Sequence, residues 1–279
     1  MKANDDYLSG KVADFKERKQ HDRELSPEEL LGKQLDTNFR IMEQIRARVD
    51  AIVKDPKTAA ALKPYYPYGC KRPTFHDEFL PTFNLPHVTL VDTAPNGVRK
   101  INERGVVHDG KEYPLDVLIY ATGFRWMATS TFNMTTGRGG QTLSDKWKQD
   151  GVKTFLGLHS HGFPNLFIMS GPQGGGGQFN FTRGLDAHTD YVVWMLKKLR
   201  ERGAKIVDIT RESEVEYAAH CHDADLRTSA FRDCLSYYNG EGNAEPGSLA
   251  YYGGPDEWHR RRMAAQESLA PYLFEAGRG

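Results

Sequence analysis

Residues 113–124 read Tyr-Pro-Leu-Asp-Val-Leu-Ile-Tyr-Ala-Thr-Gly-Phe, and their types and spacing carry the sharpest chemical signal in the chain. An apolar run, Val117-Leu118-Ile119-Tyr120, is bounded by Asp116 in front and by the small-residue turn Ala121-Thr122-Gly123 behind. A run so short and branched reads as a strand buried on both faces, as in a parallel or mixed sheet covered by helices. Open α/β sheets bind ligands at the carboxyl ends of such strands, and a glycine there lets backbone approach a ligand closely. Thr122 and Gly123 are therefore expected to touch a nucleotide cofactor. Asp116 reads as a strand terminator, not as a base.

Other chemistry-bearing residues point to less. His220-Cys221-His222 has the ligand types of a metal site. Adjacent residues on a helix face different ways, and no second ligand pair lies at zinc spacing, so ordinary packing is expected. No Gly-x-Ser-x-Gly elbow is present, which argues against a hydrolase of that type. Gly174 to Gly177 follow an apolar run and precede a helical pattern. Their spacing matches neither the dinucleotide nor the P-loop motif, and they read as a loop. Cys70, Cys221 and Cys234 are odd in number and widely spaced. Without a signal peptide in view, reduced thiols are expected.

The elements that must position these residues are legible in outline. Ser26-Pro27-Glu28-Glu29 has the order of a helix start, and apolar residues recur at three- and four-residue spacing from Phe39 to Val49. Asp55-Pro56 interrupts that pattern. His87 to Asp92, Val98 to Ile101, Arg104 to His108 and Glu112 to Tyr120 read as short strands. Asp109-Gly110 is a strong hairpin turn. Gly162 to Met169 reads as a further strand, and Leu185 to Arg202 as a helix capped by Gly203. The segment 237–254, rich in aromatics and glycine, reads as a covering loop.

Composition narrows the partners. Lys+Arg and Asp+Glu both number 37, so no global field favours nucleic acid or an anionic membrane. No apolar stretch approaches the roughly 20 residues that span a bilayer, and the first residues have no apolar core of a secretory signal. A cytoplasmic protein is the expectation.

Several motifs in order carry a family resemblance: Tyr68-Gly69-Cys70-Lys71-Arg72-Pro73, Phe83-Asn84-Leu85-Pro86-His87-Val88, Leu90-Val91-Asp92-Thr93, Asp116 to Phe124, Phe155-Leu156-Gly157, Gly162 to Phe167, Gly171-Pro172 and Tyr237-Tyr238-Asn239-Gly240-Glu241-Gly242. In this order they resemble the C-terminal half of a Baeyer–Villiger monooxygenase. That family uses FAD and NADPH to insert oxygen beside a ketone, giving an ester or lactone by way of a flavin C4a-peroxide. Its two Gly-x-Gly-x-x-Gly turns, which meet cofactor pyrophosphates at helix N-termini, have no counterpart in this sequence. Phe155, Gly157 and His161 imitate part of the family's fingerprint but lie downstream of its expected place, with Asn165 where its tryptophan would stand.

The resemblance implies an α/β fold: an incomplete flavoprotein with two dinucleotide-binding domains. Residues 1–66 would be a helical insertion of the NADPH domain, 67–120 its closing strands, and 121–279 the C-terminal part of the FAD and substrate domain. It implies a catalytic role for Arg72, whose permanent charge would stabilise the peroxide anion. Lys71 would meet the NADPH 2′-phosphate. Thr122 and Gly123 would lie against FAD, Asn180 and Phe181 under the flavin ring, and Tyr237 near the cofactor ribose. Gln173 to Gln178 would form the adjacent pocket loop. The implied partner is a small ketone; the chain reads as a truncated enzyme, a fragmentary gene or one half of a split protein that a separately encoded N-terminal half would complete, and as weak or inactive alone. The rivals are an N- or S-oxygenating flavin monooxygenase, which does not need the arginine, and a non-catalytic remnant.

Overall fold

The computed structural model describes residues 26–123, 130–174, 180–228, 234–240 and 249–277. The chain divides into two compact units. One comprises Met1–Phe39, Pro67–Arg72 and Met127–Gly279, and the other Arg40–Tyr66 and Pro73–Trp126.

Helix α1, Pro27–Ile52, begins where the sequence places it. Ser26 Oγ accepts the Glu29 N–H at 3.3 Å, and the Glu29 carboxylate accepts the Ser26 N–H at 2.8 Å, a reciprocal capping box. Asp55 then caps α2, Pro56–Leu62, by accepting the Thr58 N–H at 2.8 Å. In the unit of residues 40–66 and 73–126, Val49, Val53 and Ala59 are buried with Leu62, Leu80 and Phe83 packed against them. Asn84 accepts from the Lys54 N–H and donates to the Ile52 carbonyl, satisfying backbone groups at the end of α1. The single turn α3, Phe79–Thr82, brings Phe83 edge-on to Phe79.

The same unit holds an antiparallel meander of β1 (Lys100–Asn102), β2 (Gly105–His108) and β3 (Lys111–Pro114). His108 pairs with Lys111 across Asp109-Gly110, and both turn residues have positive φ, 46° and 76°. That is the two-residue turn whose twist matches the strands. The third strand stops at Pro114, however. Val117 to Tyr120, expected as a buried strand, form none, and their exposures are 73%, 38%, 84% and 66%. His87 to Asp92 likewise form no strand. Both runs have strand composition, but a strand needs a neighbour to bond, and no described residue supplies one.

In the other unit, β4 (Ile206–Ile209) pairs antiparallel with β5 (Tyr272–Glu275). Around this ribbon pack α6 (Phe181–Glu201), α7 (Arg211–Thr228) and α8 (Pro255–Ser268), after the shorter α4 (Ser130–Met134) and α5 (Leu143–Asp150). Helix α6 ends where expected, with Arg202 as its cap and Gly203 at φ 61°. Its buried seam is His188, Tyr191, Met195 and Leu199, while Leu196 is 54% exposed. Tyr191, Met195 and Leu199 join Val207, Ile209, Tyr217, Trp258 and Tyr272 in one core.

The strand expected at Gly162 to Met169 is a chain of turns. Pro164 has no N–H to donate, and Asn165 sits at φ 59°, so extension is broken twice. Asn165 instead works on the edge of β4, giving its N–H to the Val207 carbonyl and accepting the Val207 N–H on its side chain. Gly157, at φ 69°, lies against Gly174 so closely that a Cβ would come within 2.1 Å of the Gly174 Cα.

Candidate functional site

The sequence candidate with the most defined surroundings is Arg72, on the short segment Pro67–Arg72. The segment is fastened at its start by Asn38 of α1. The Asn38 amide donates to the Tyr68 carbonyl at 2.7 Å and accepts the Tyr68 N–H at 3.0 Å, replacing a backbone ladder that the segment lacks. Cys70 is buried and bonded to Cys234, 164 residues away. Lys71 Nζ donates to the Leu235 carbonyl at 2.9 Å, and Arg72 Nη1 donates to the Tyr238 hydroxyl at 3.3 Å. Both cationic residues are exposed.

The partner segment holds its own shape. Ser236 gives its N–H to the Asn239 side chain, Asn239 Nδ2 donates to the Cys234 carbonyl, and the Tyr238 N–H reaches Ser236 Oγ. A closed turn thus carries Tyr238 toward the guanidinium. The expectation of reduced thiols fails here: Cys70 and Cys234 are joined, and Cys221 alone is free. Spacing along the chain has no term for a pair brought together by folding. Cys221 is buried, and burial pushes its thiol up to about 12. Its neighbour His220 meets the Tyr251 hydroxyl at 3.2 Å and Arg261 at 2.9 Å. No metal-binding group occurs among the described residues.

The remaining candidates are placed as follows. Thr122 and Gly123 are exposed in the unit of residues 40–66 and 73–126, and Gly123 has φ 88° with no atom within 4 Å of a would-be Cβ. Asn180 is the N-cap of α6, its side chain accepting the Arg183 N–H at 3.2 Å, and Phe181 in the first turn is 50% exposed. Of the loop 173–178, Gln173 is buried and accepts from Thr154 at 2.8 Å, while residues 175–178 lie outside the described residues. Tyr237 opens the 3-10 turn Tyr237–Asn239, with its side chain outside the described set.

Two buried polar clusters escaped the sequence altogether. Lys146 Nζ donates to Glu214 at 2.7 Å, to Ser160 Oγ at 2.8 Å and to the His161 carbonyl at 2.8 Å. Glu214 Oε1 also accepts from Ser160 Oγ and the His161 N–H. In the core, His159 Nε2 lies 2.9 Å from the Tyr191 hydroxyl, which donates to the Tyr272 hydroxyl at 2.9 Å. Burial pushes the His159 imidazole down to about 4, against a smaller upward effect of a hydrogen bond to the Leu166 backbone.

Comparison with known proteins finds relatives that the chain matches in part. No family model matches the chain. A Baeyer-Villiger monooxygenase of Streptomyces coelicolor is 42% identical over 242 residues, 82% of this chain and 40% of that protein. The chain is homologous to part of the Baeyer–Villiger monooxygenases. Among solved structures, the polycyclic ketone monooxygenase of Thermothelomyces thermophila aligns over 90% of this chain and 42% of its own, with a TM-score of 0.78 and 36% identity. A steroid monooxygenase bound to NADP aligns over 86% of this chain and 46% of its own, with a TM-score of 0.77 and 29% identity. The chain thus has a partial α/β flavoprotein fold. It spans 31 to 42% of the length of the curated relatives that it matches.

Proposed function

We propose that this chain supplies the arginine-bearing part of an FAD- and NADPH-dependent Baeyer–Villiger monooxygenase, which converts a ketone to an ester or lactone. The observation that carries the reading is Arg72, exposed on a segment fastened by Asn38, by a disulfide and by the turn that bears Tyr238. A guanidinium held in this way is preorganised, so it stabilises developing negative charge without reorganising at the moment of reaction. An N- or S-oxygenating enzyme has no need of it.

The residues present fit as contact points for the cofactors. FAD supplies the oxygen-activating chemistry and NADPH the reducing equivalents. Gly123 combines positive φ with open space, so its backbone can meet a ligand, with Thr122 beside it. Lys71 offers positive charge to a 2′-phosphate. Asn180, Phe181 and Tyr237 would line the flavin and ribose. Residues 1–66 would belong with the NADPH domain as a helical insertion, 67–120 would close it, and 121–279 would belong to the FAD and substrate domain.

The exposed row Val117 to Tyr120 supports a further assignment. Additional sheet-forming sequence, in the same chain or as a separate half, would pair with it. No helix among the described residues is long and apolar enough to cross a membrane, which accords with a cytoplasmic location.

Flavin retention tests the reading. The chain alone, mixed with FAD and gel-filtered, is expected to keep far less than stoichiometric flavin. A protein in which this chain replaces the matching stretch of the Streptomyces coelicolor relative should keep flavin and oxidise NADPH faster when ketone is added. Flavin retention without any ketone dependence would count against it.

A further inference from the structure

Pro67–Arg72 is joined to the turn at 234–240 by the Cys70–Cys234 bond, by Lys71 on the Leu235 carbonyl and by Arg72 on the Tyr238 hydroxyl. These links fall on three consecutive residues, and the covalent one lies two residues before the guanidinium. The bonded cysteines are buried, whereas Lys71 and Arg72 are exposed and depend on their partners for position. The geometry points to a redox-sensitive strap: we propose that Cys70–Cys234 and Tyr238 are positioning elements for Arg72, and that opening the disulfide releases the arginine from its working place.

The electron balance is that of thiol–disulfide exchange. A dithiol such as dithiothreitol reduces the bond, giving two cysteine thiols and its own cyclic disulfide; oxidised glutathione closes it, releasing two reduced glutathione molecules. A closed bond removes conformations from the connecting chain, so the two hydrogen bonds form within a segment already brought together. When the bond is open, these hydrogen bonds must order long side chains, which have rotamer entropy to lose, without the covalent tie. The effect on catalysis rests on the proposed role of Arg72; the strap itself does not.

The test has two parts. First, thiols are counted in denaturant on the full chain after treatment with oxidised glutathione, and trypsin cleavage between Lys71 and Arg72 is followed by mass spectrometry. One thiol, from Cys221, is expected, rising to three after dithiothreitol. Cleavage at Lys71 should quicken about tenfold on reduction, and Cys234→Ser should behave like the reduced chain, because proteolysis of a fast-opening segment follows its open population. Three thiols after glutathione treatment, or an equal cleavage rate in both states, overturns the strap whatever the enzyme does. Second, in the joined flavoprotein, reduction should lower kcat for the ketone with flavin still bound and raise KM for NADPH, because Lys71 is loosened along with Arg72, and reoxidation should restore both. Tyr238→Phe should lower kcat in the oxidised state and change it much less after reduction. A strap that forms and protects Lys71, but leaves kcat unmoved, refutes positioning while leaving the flavoenzyme reading intact.

Discussion

At the scale of single residues, the stakes are highest where charge is buried. Lys146 and Glu214 retain 8% and 3% of their side-chain exposure and satisfy each other together with Ser160 and His161. Removing one partner leaves the other charged and buried, so Lys146→Met is expected to destabilise the fold by about 3–5 kcal/mol in urea unfolding. His159 makes a pH-dependent contribution. Its imidazole titrates near 6.5 when unfolded and near 4 when folded. Between those values the unfolded chain holds the extra proton, so stability falls as pH drops through this window. From pH 7 to pH 5 the loss due to His159 is roughly 2 kcal/mol, and a His159→Gln variant should lack it when unfolding is compared at the two pH values. Arg72 stands out in the sequence because its neighbours form an ordered motif. Its fastening was not, since Asn38, Cys234 and Tyr238 come from distant positions that only folding brings close. The aromatic pair Tyr237-Tyr238 drew attention to its first member, and the second is the one on the guanidinium.

At the scale of elements, local rules were legible and pairing was not. The Ser26 capping box, the Asp55-Pro56 break, the Asp109-Gly110 turn and the Gly203 end of α6 all rest on contacts within a few residues, and each is where the sequence places it. Strands depend on a second stretch of chain. His87 to Asp92 and Val117 to Tyr120 have strand composition but no described neighbour to bond, and Pro164-Asn165 turns where an apolar run suggested extension. Asn180 illustrates how one residue can carry two readings. As the cap of α6 it should cost about 1 kcal/mol when replaced by Ala in thermal or urea unfolding, and Asn180→Asp should recover most of that. A stability loss of this size on the isolated chain, with no cofactor present, measures the capping contribution separately from any contact with flavin.

At the scale of the molecule, two units are built differently. The unit containing α6, α7 and α8 has a continuous core around β4 and β5, with Tyr191, Met195, Val207 and Ile209 wholly buried. The other leaves a row of large apolar side chains at the surface from Val117 to Tyr120. That contrast agrees with homology to about two fifths of a longer monooxygenase. Arg72 is proposed to do the charge-stabilising work of ketone oxygenation. The measurement that reaches it most directly is ester formation by the protein in which this chain replaces the matching stretch of its Streptomyces coelicolor relative, with and without Arg72→Ala. Loss of ester by a factor of about 10²–10³, with flavin still bound, is the expected result for a preorganised charged donor. Undiminished ester formation by the Arg72→Ala protein would exclude that role for the guanidinium.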